Sequence, residues 1–269
     1  MEAPHSPLIF QAMRRILAFT LPIMAALAAA PARADPFASD WAPSLKSTAR
    51  LVAGEGGWAG VEIRLNANSI TYWRDPGDAG APPTFDFSGS ANLKAAQVHF
   101  PAPRRIAESD GGVAFGYDRD VLLPVALTPI DAAKPIRLKL AMTYAVCEKI
   151  CLPARGDFGV NLPLGVSSPF TPAIAAAEAL TPLRIGEGSV QVTPTAAAVS
   201  VCTREPLGAD PALFIEGPEG WLARASADPG DAGCFRVKVV EKPQSLVGAV
   251  HARLTFVGDA AAYETTVDF

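Results

Sequence analysis

The chain is poor in the residues from which metal centres and hydrolases are built. Histidine occurs only three times, as His5 near the start and as His99 and His251 inside strand patterns, and none lies near a cysteine. A closed thiolate-imidazole metal site is therefore hard to assemble. No Ser/His/Asp grouping, phosphate-cradling glycine loop or paired-carboxylate constellation stands out, which leaves hydrolase and nucleotide chemistry without support. Blocks of like charge are missing as well: 23 Lys and Arg are interspersed with 27 Asp and Glu for a net charge of -4. That balance argues against nucleic acid or an anionic membrane as the main partner and points to proteins or small molecules. Beyond Asp35 no stretch approaches 18 consecutive apolar residues, so no membrane-spanning helix is expected there.

What is present begins with an export signal. Arg14 and Arg15 precede an apolar run from Ile16 to Ala30, interrupted by Pro22, which ends in Ala32-Arg33-Ala34. A basic start, a short apolar stretch and a small-x-small site predict a signal peptide over residues 1–34 and a mature chain from Asp35, exported unfolded to an oxidising compartment and soluble there.

After the leader, period-two alternation dominates. From Ile136 to Val146, the residues Ile136, Leu138, Leu140, Met142, Tyr144 and Val146 fall on one face and Arg137, Lys139 and Thr143 on the other, which predicts a half-buried antiparallel strand. Shorter signals lie at Val61 to Leu65, Ser69 to Trp73, Val98 to Phe100, Val121 to Leu127 and Phe158 to Leu162, and Asp75-Pro76-Gly77-Asp78 reads as a turn. One helix is expected, from Thr171 to Leu180, with Thr171 as N-cap and Pro172 at the first helical position. Strand patterns then resume at Ser189 to Thr193, Ala198 to Cys202, Leu213 to Glu216, Cys234 to Val240, Val250 to Val257 and Ala262 to Phe269. The expected fold class is all-β, two tandem β-sandwich domains over 35–165 and 186–269, joined by a connector with a short helix over 166–185.

Four cysteines in an exported chain allow three pairings. Cys147 and Cys151 flank Glu148-Lys149-Ile150 at the end of the best strand, so a three-residue turn sets them opposite each other in a hairpin mouth, within reach of a disulfide. The chain-entropy relation gives about 2 kcal/mol for so short a loop and about 3.7 kcal/mol for a bridge between Cys202 and Cys234. The weaker staple at a strand end has the character of a bond that is reduced and reformed, whereas the longer one reads as structural. Two alternatives stay open at this level: both bridges inert, or Cys147 and Cys151 as metal thiolates. The opposed charges of Glu148 and Lys149 leave the thiol pKa undecided.

Several words of the sequence resemble a known family. They are Thr71-Tyr72-Trp73-Arg74-Asp75-Pro76-Gly77-Asp78-Ala79-Gly80, Pro82-Pro83-Thr84-Phe85-Asp86, Phe100-Pro101-Ala102-Pro103, Tyr117 to Pro124, and Ala145-Val146-Cys147-Glu148-Lys149-Ile150-Cys151-Leu152-Pro153-Ala154. Together they resemble the N-terminal periplasmic domain of the DsbD transmembrane thiol-disulfide reductases and especially of their ScsB (suppressor of copper sensitivity) relatives, over roughly Trp41 to Pro163. Phe214-Ile215-Glu216-Gly217-Pro218 carries a further likeness.

The resemblance implies immunoglobulin-like sandwiches and a Cys147/Cys151 pair that relays electrons between a membrane carrier and periplasmic thioredoxin-like or disulfide-containing proteins, without a cofactor. Family members continue into a membrane bundle, so a separately encoded membrane electron carrier is expected. One cysteine attacks and the other resolves, in an order the sequence does not fix. A cap loop shields the pair in the family. Its counterpart, Ala107 to Gly112, keeps the acids Glu108 and Asp110 and lacks the aromatic, for which Phe115 is expected to substitute; Tyr72, Trp73 and Tyr144 are expected to line the same surface. The plain alternatives are a solvated turn for the acids and core packing for the aromatics. Two further functional readings follow: a binding module with fixed bridges that docks partners on Trp73 to Pro83 and Glu108 to Gly112, and a copper link through the thiols.

Overall fold

A computed structural model describes residues 35–78, 80–108, 111–195 and 198–269. The signal peptide expected over 1–34, and Asp110 in the expected cap loop, lie outside the described residues. Among the described residues no helix is long and apolar enough to cross a membrane.

The strands of the first half are β1 (Ala42–Pro43), β2 (Ser47–Ala53), β3 (Trp58–Leu65), β4 (Ile70–Gly77), β5 (Thr84–Asp86), β6 (Leu93–Val98), β7 (Arg104–Ala107), β8 (Val113–Tyr117), β9 (Val121–Pro129), β10 (Ile136–Cys147) and β11 (Cys151–Leu162). They form two sheets, ordered β1-β2-β3-β9-β6 and β11-β10-β4-β8-β7, with β5 added beside β10. The alternation read from Ile136 onward has its physical result here: Ile136, Leu138, Leu140, Met142, Tyr144 and Val146 are all buried, while Arg137, Lys139 and Ala141 are exposed. Their buried faces meet Leu51, Val61, Ile63, Leu123 and Val125 of the other sheet in one core. This is the geometry of a sandwich, in which each strand contributes every second side chain.

The helix α1 (Thr171–Glu178) is shorter than expected and starts differently. Phe170 is the N-cap, Thr171 is already helical, and its hydroxyl finds no partner among the described residues. The local anchor is Ser168, whose hydroxyl donates to the Ala53 carbonyl and accepts from the Phe170 N–H at 3.2 Å. The helix is also more than a tether. Ile174 and Ala177 are buried against the first sandwich, and Glu178 holds His99 Nδ1 at 2.8 Å.

Beyond it run β12 (Leu183–Arg184), β13 (Val190–Pro194), β14 (Val199–Thr203), β15 (Ala212–Glu216), β16 (Leu222–Asp228), β17 (Asp231–Glu241), β18 (His251–Val257) and β19 (Ala262–Asp268). They build two more sheets, β12-β19-β18-β15 and β13-β14-β17-β16, around Val201, Leu213, Trp221, Phe235, Leu254 and Phe256. The chain is thus all-β, with two sandwiches in tandem. The second core is not closed on itself: Phe214 of β15 belongs to the first core, 5.8 Å from the Trp73 ring and 4.8 Å from the Phe115 ring.

Candidate disulfide-exchange site

β10 and β11 pair without a break from Ile136 opposite Leu162 to Cys147 opposite Cys151, so the ladder itself delivers the two cysteines to the hairpin mouth. Their Cα atoms are 4.0 Å apart and the sulfurs are bonded. Cys202 and Cys234 are likewise directly opposed, on β14 and β17, bonded and half-buried. Opposed strand residues approach closely enough for such bonds, which is why two local ladders suffice to pair all four cysteines.

The two sulfur-bearing residues at the mouth differ sharply in access. Cys147, with Ile70 of β4 as its other neighbour in the sheet, is 3 % exposed and packs with Tyr72, Ala114 and Ala145. Cys151 is exposed, and beside it an open trough runs between Gly80-Ala81-Pro82 and Leu152-Pro153. The turn between them is solvent-facing. Ile150 protrudes, and Glu148 pairs with Lys46 from the β1–β2 turn, a hydrogen bond that holds its carboxyl below the ordinary range.

Tyr72 roofs the bond. Its hydroxyl lies 2.9 Å from Cys147 Sγ, 3.4 Å from Cys151 Sγ and 3.3 Å from Glu108 Oε1. A disulfide has no proton to give, so the phenol is the donor, one hydrogen facing three acceptors. Gly80 lies flat on the ring: with φ at +100°, a Cβ there would come within 2.2 Å of Tyr72 Cζ. Glu108 comes from the tip between β7 and β8, where its N–H donates to the Gly112 carbonyl at 2.9 Å and its Oε2 is buried without a partner among the described residues.

Of the aromatic residues expected here, only Tyr72 arrives. Tyr144 is one residue out of phase with Cys147 along β10, so the pleat turns it into the core, where it hydrogen-bonds Ser47 Oγ at 2.8 Å and burial raises its pKa. Trp73 is fully buried beside Phe214 for the same reason of alternation with Tyr72. Phe115 does not replace the missing cap aromatic; it faces Phe214 across the junction of the two sandwiches.

Of the expected turn at Asp75 to Asp78, Asp75 to Gly77 form instead the irregular end of β4, and only Asp78 lies in a turn. The pairing of β4 with β8 shifts register between Tyr72 and Gly77, Gly77 has φ at +83°, and Asp75 Oδ1 accepts from the Gly77 N–H at 3.0 Å. The displaced residues reach the second sandwich. Arg74 donates to Glu216 at 2.8 Å and to Glu264, and stands over the Trp73 ring at 4.1 Å. Burial works against its charge, but the hydrogen bonds and charges of Glu216 and Glu264 outweigh it and hold the pKa above the ordinary value. Asp78 Oδ1 meets Arg224 Nη2 at 2.7 Å. The two words Thr71 to Gly80 and Phe214 to Pro218, far apart in the chain, therefore meet at one junction. Arg74 and Arg224 were invisible as site residues because nothing local marks a charge that finds its partner more than a hundred residues away.

Comparison with known proteins now bears on this geometry. Residues 42–162 match the family model described as thiol:disulfide interchange protein DsbD, N-terminal. This segment belongs to the DsbD N-terminal domain family. The crystal structure of the N-terminal periplasmic domain of ScsB from Proteus mirabilis is similar in fold, with a TM-score of 0.66 at 18 % identity, covering 87 % of this chain and 99 % of that one. The likeness extends over both sandwiches. No curated protein matches the chain in sequence. The family segment ends with β11, so the DsbD-type domain contains the Cys147–Cys151 mouth, Tyr72 and Glu108, whereas Arg224, Glu216 and the second bridge lie beyond it.

Proposed function

We propose that the chain is a thiol-disulfide exchange module, exported to the periplasm, that passes electrons to or from partner proteins through Cys147 and Cys151. The observation that carries the reading is the asymmetry of the bond: one sulfur residue exposed beside a trough, the other buried under a phenol that can donate to it. A partner thiolate attacks Cys151 Sγ, a bond forms between the two proteins, and the Cys147–Cys151 bond breaks with its electron pair leaving on Cys147. Tyr72 supplies a hydrogen bond to that thiolate. A second partner thiol then attacks its own mixed-disulfide sulfur, releasing the Cys151 thiolate; the partner ends as a disulfide and this chain as a dithiol. Run backward, the Cys151 thiolate attacks a partner disulfide and Cys147 resolves the intermediate.

The match of residues 42–162 to the DsbD N-terminal family supports thioredoxin-like periplasmic proteins and a membrane electron carrier as the partners. Capture from a periplasmic extract tests the reading. Cys147→Ser leaves the exposed thiol and is expected to accumulate mixed disulfides, whereas Cys151→Ser leaves the buried one and is expected to trap far less. Failure of both variants to trap any protein, with the fold intact, would reject exchange and favour a fixed bridge in a binding module.

A further inference from the structure

The roof over the disulfide is not held by the first sandwich alone. β4 leaves its ladder with β8 directly after Tyr72, the residue whose hydroxyl touches both sulfurs, and rejoins it only at Gly77. Where a strand leaves its ladder, backbone pairing no longer fixes it, and side chains must. Three side-chain anchors of this stretch reach residues of the second sandwich: Trp73 against Phe214, Arg74 on Glu216 and Glu264, Asp78 on Arg224. Asp78 also closes the return toward the acid tip, donating its N–H to the Val113 carbonyl at 3.0 Å and accepting from the Val113 N–H at 3.1 Å. On the strand that leads to that tip, Arg105 donates to the Ala225 carbonyl at 3.2 Å, one residue from Arg224. Gly80, which lies on the Tyr72 ring, and Glu108, which shares its hydroxyl, are thus both tied to β16.

We infer that the second sandwich serves as the support of the exchange site, and that Arg224 is a positioning residue: through Asp78 it holds the Gly80 strap and the Glu108 tip so that the Tyr72 hydroxyl stays on Cys147. The inference rests on the exchange reading above and adds the part of the chain that the DsbD-type segment does not include. Arg74 makes the stronger contact, yet it is a poor test. Removing it strands two carboxylates at a covered junction, and the sandwiches would separate for reasons unrelated to the site. Arg224 is more than half exposed, so its loss leaves the fold standing.

The experiment is a double-mutant cycle on the intact mature chain, reading the equilibrium of the Cys147–Cys151 bond with glutathione by mass spectrometry, with the melting temperature as control. Arg224→Ala is expected to make the bond harder to reduce, by about two- to fivefold in the equilibrium constant, as an exposed ion pair permits. Arg224→Lys is expected to restore most of the wild-type value. In the Tyr72→Phe background, Arg224→Ala is expected to change nothing further, since the hydroxyl it positions is gone. A shift of the same size in both backgrounds, or none in either, overturns the inference while leaving exchange intact. A wild-type bond that never equilibrates with glutathione overturns the exchange reading and this inference with it.

Discussion

Replacing Tyr72 by Phe removes one hydroxyl and keeps the ring that covers Cys147. In the oxidised protein that hydroxyl has a weak acceptor in each sulfur and a long contact of 3.3 Å to Glu108. On reduction the Cys147 thiolate becomes a charged acceptor for the hydroxyl that lies 2.9 Å from its sulfur in the oxidised protein. Hydrogen bonds to charged groups contribute about 1.5–3 kcal/mol and ordinary ones about 1 kcal/mol, so the reduced state loses roughly 1 kcal/mol more than the oxidised state when the hydroxyl goes. With about 30 mV for 1.4 kcal/mol in a two-electron couple, the potential should fall by about 20 mV, roughly fivefold in equilibrium with glutathione. The same substitution leaves the Glu108 carboxylate facing the new thiolate without a donor between them, which acts in the same direction. The assay is equilibration in glutathione buffers at pH 8.5, close to the ordinary thiol pKa of about 8.5, followed by alkylation and mass analysis. Glu108→Gln serves as the counterpart, because removing the negative charge should ease reduction. A potential that is unchanged or higher in Tyr72→Phe would refute the role given to the phenol.

Three further outcomes are expected. Gly80→Ala, at φ +100° with its new methyl 2.2 Å from Tyr72, should displace the ring and speed alkylation of Cys147 in the reduced protein; equal rates in variant and wild type would show that Gly80 does not hold the roof. Asp75 has a pKa raised mainly by burial, against the hydrogen bond from Gly77. Its stabilising contribution is therefore complete below the ordinary value of 3.8 and lost as pH rises through the raised folded value, so Asp75→Asn should raise Tm at pH 7 and leave it unchanged at pH 3. Removing Cys147 and Cys151 together should cost about 2 kcal/mol of stability and removing Cys202 and Cys234 about 3.7 kcal/mol by loop-closure entropy, measured by urea unfolding; the opposite ranking would contradict their assignment.

Much of the strand content was legible because a sandwich writes itself into a sequence as alternation. The stretch from Ile136 onward is the clearest case, with Ile136, Leu138, Leu140, Met142, Tyr144 and Val146 all on one face and buried. β2, β8 and β16 carry no clear alternation, since Ser47–Ala53 and Leu222–Asp228 mix small and polar residues and Val113–Tyr117 is only five residues long. The helix is capped one residue before the local signal at Thr171 because Ser168, two positions before the Phe170 cap, anchors the turn through Ala53 of a distant strand. The aromatic residues were harder. Alternation says that Tyr72 and Trp73 point to opposite faces and that Tyr144 and Cys147 do too, but not which face carries the disulfide and which the core. Phe115 faces Phe214 of the other sandwich, a partner too distant in the chain for any local pattern to announce.

By itself, the amino-acid sequence determined an alternating, turn-rich chain and a hairpin whose three-residue turn opposes Cys147 and Cys151, since both follow from local periodicity and bond geometry. Tertiary structure alone decided that one cysteine is open and the other buried beneath Tyr72, and that Arg74 and Arg224 tie the site's roof to the second sandwich. Burial and long-range ion pairs depend on which surfaces meet when the sheets close, and no window of neighbouring residues contains that information.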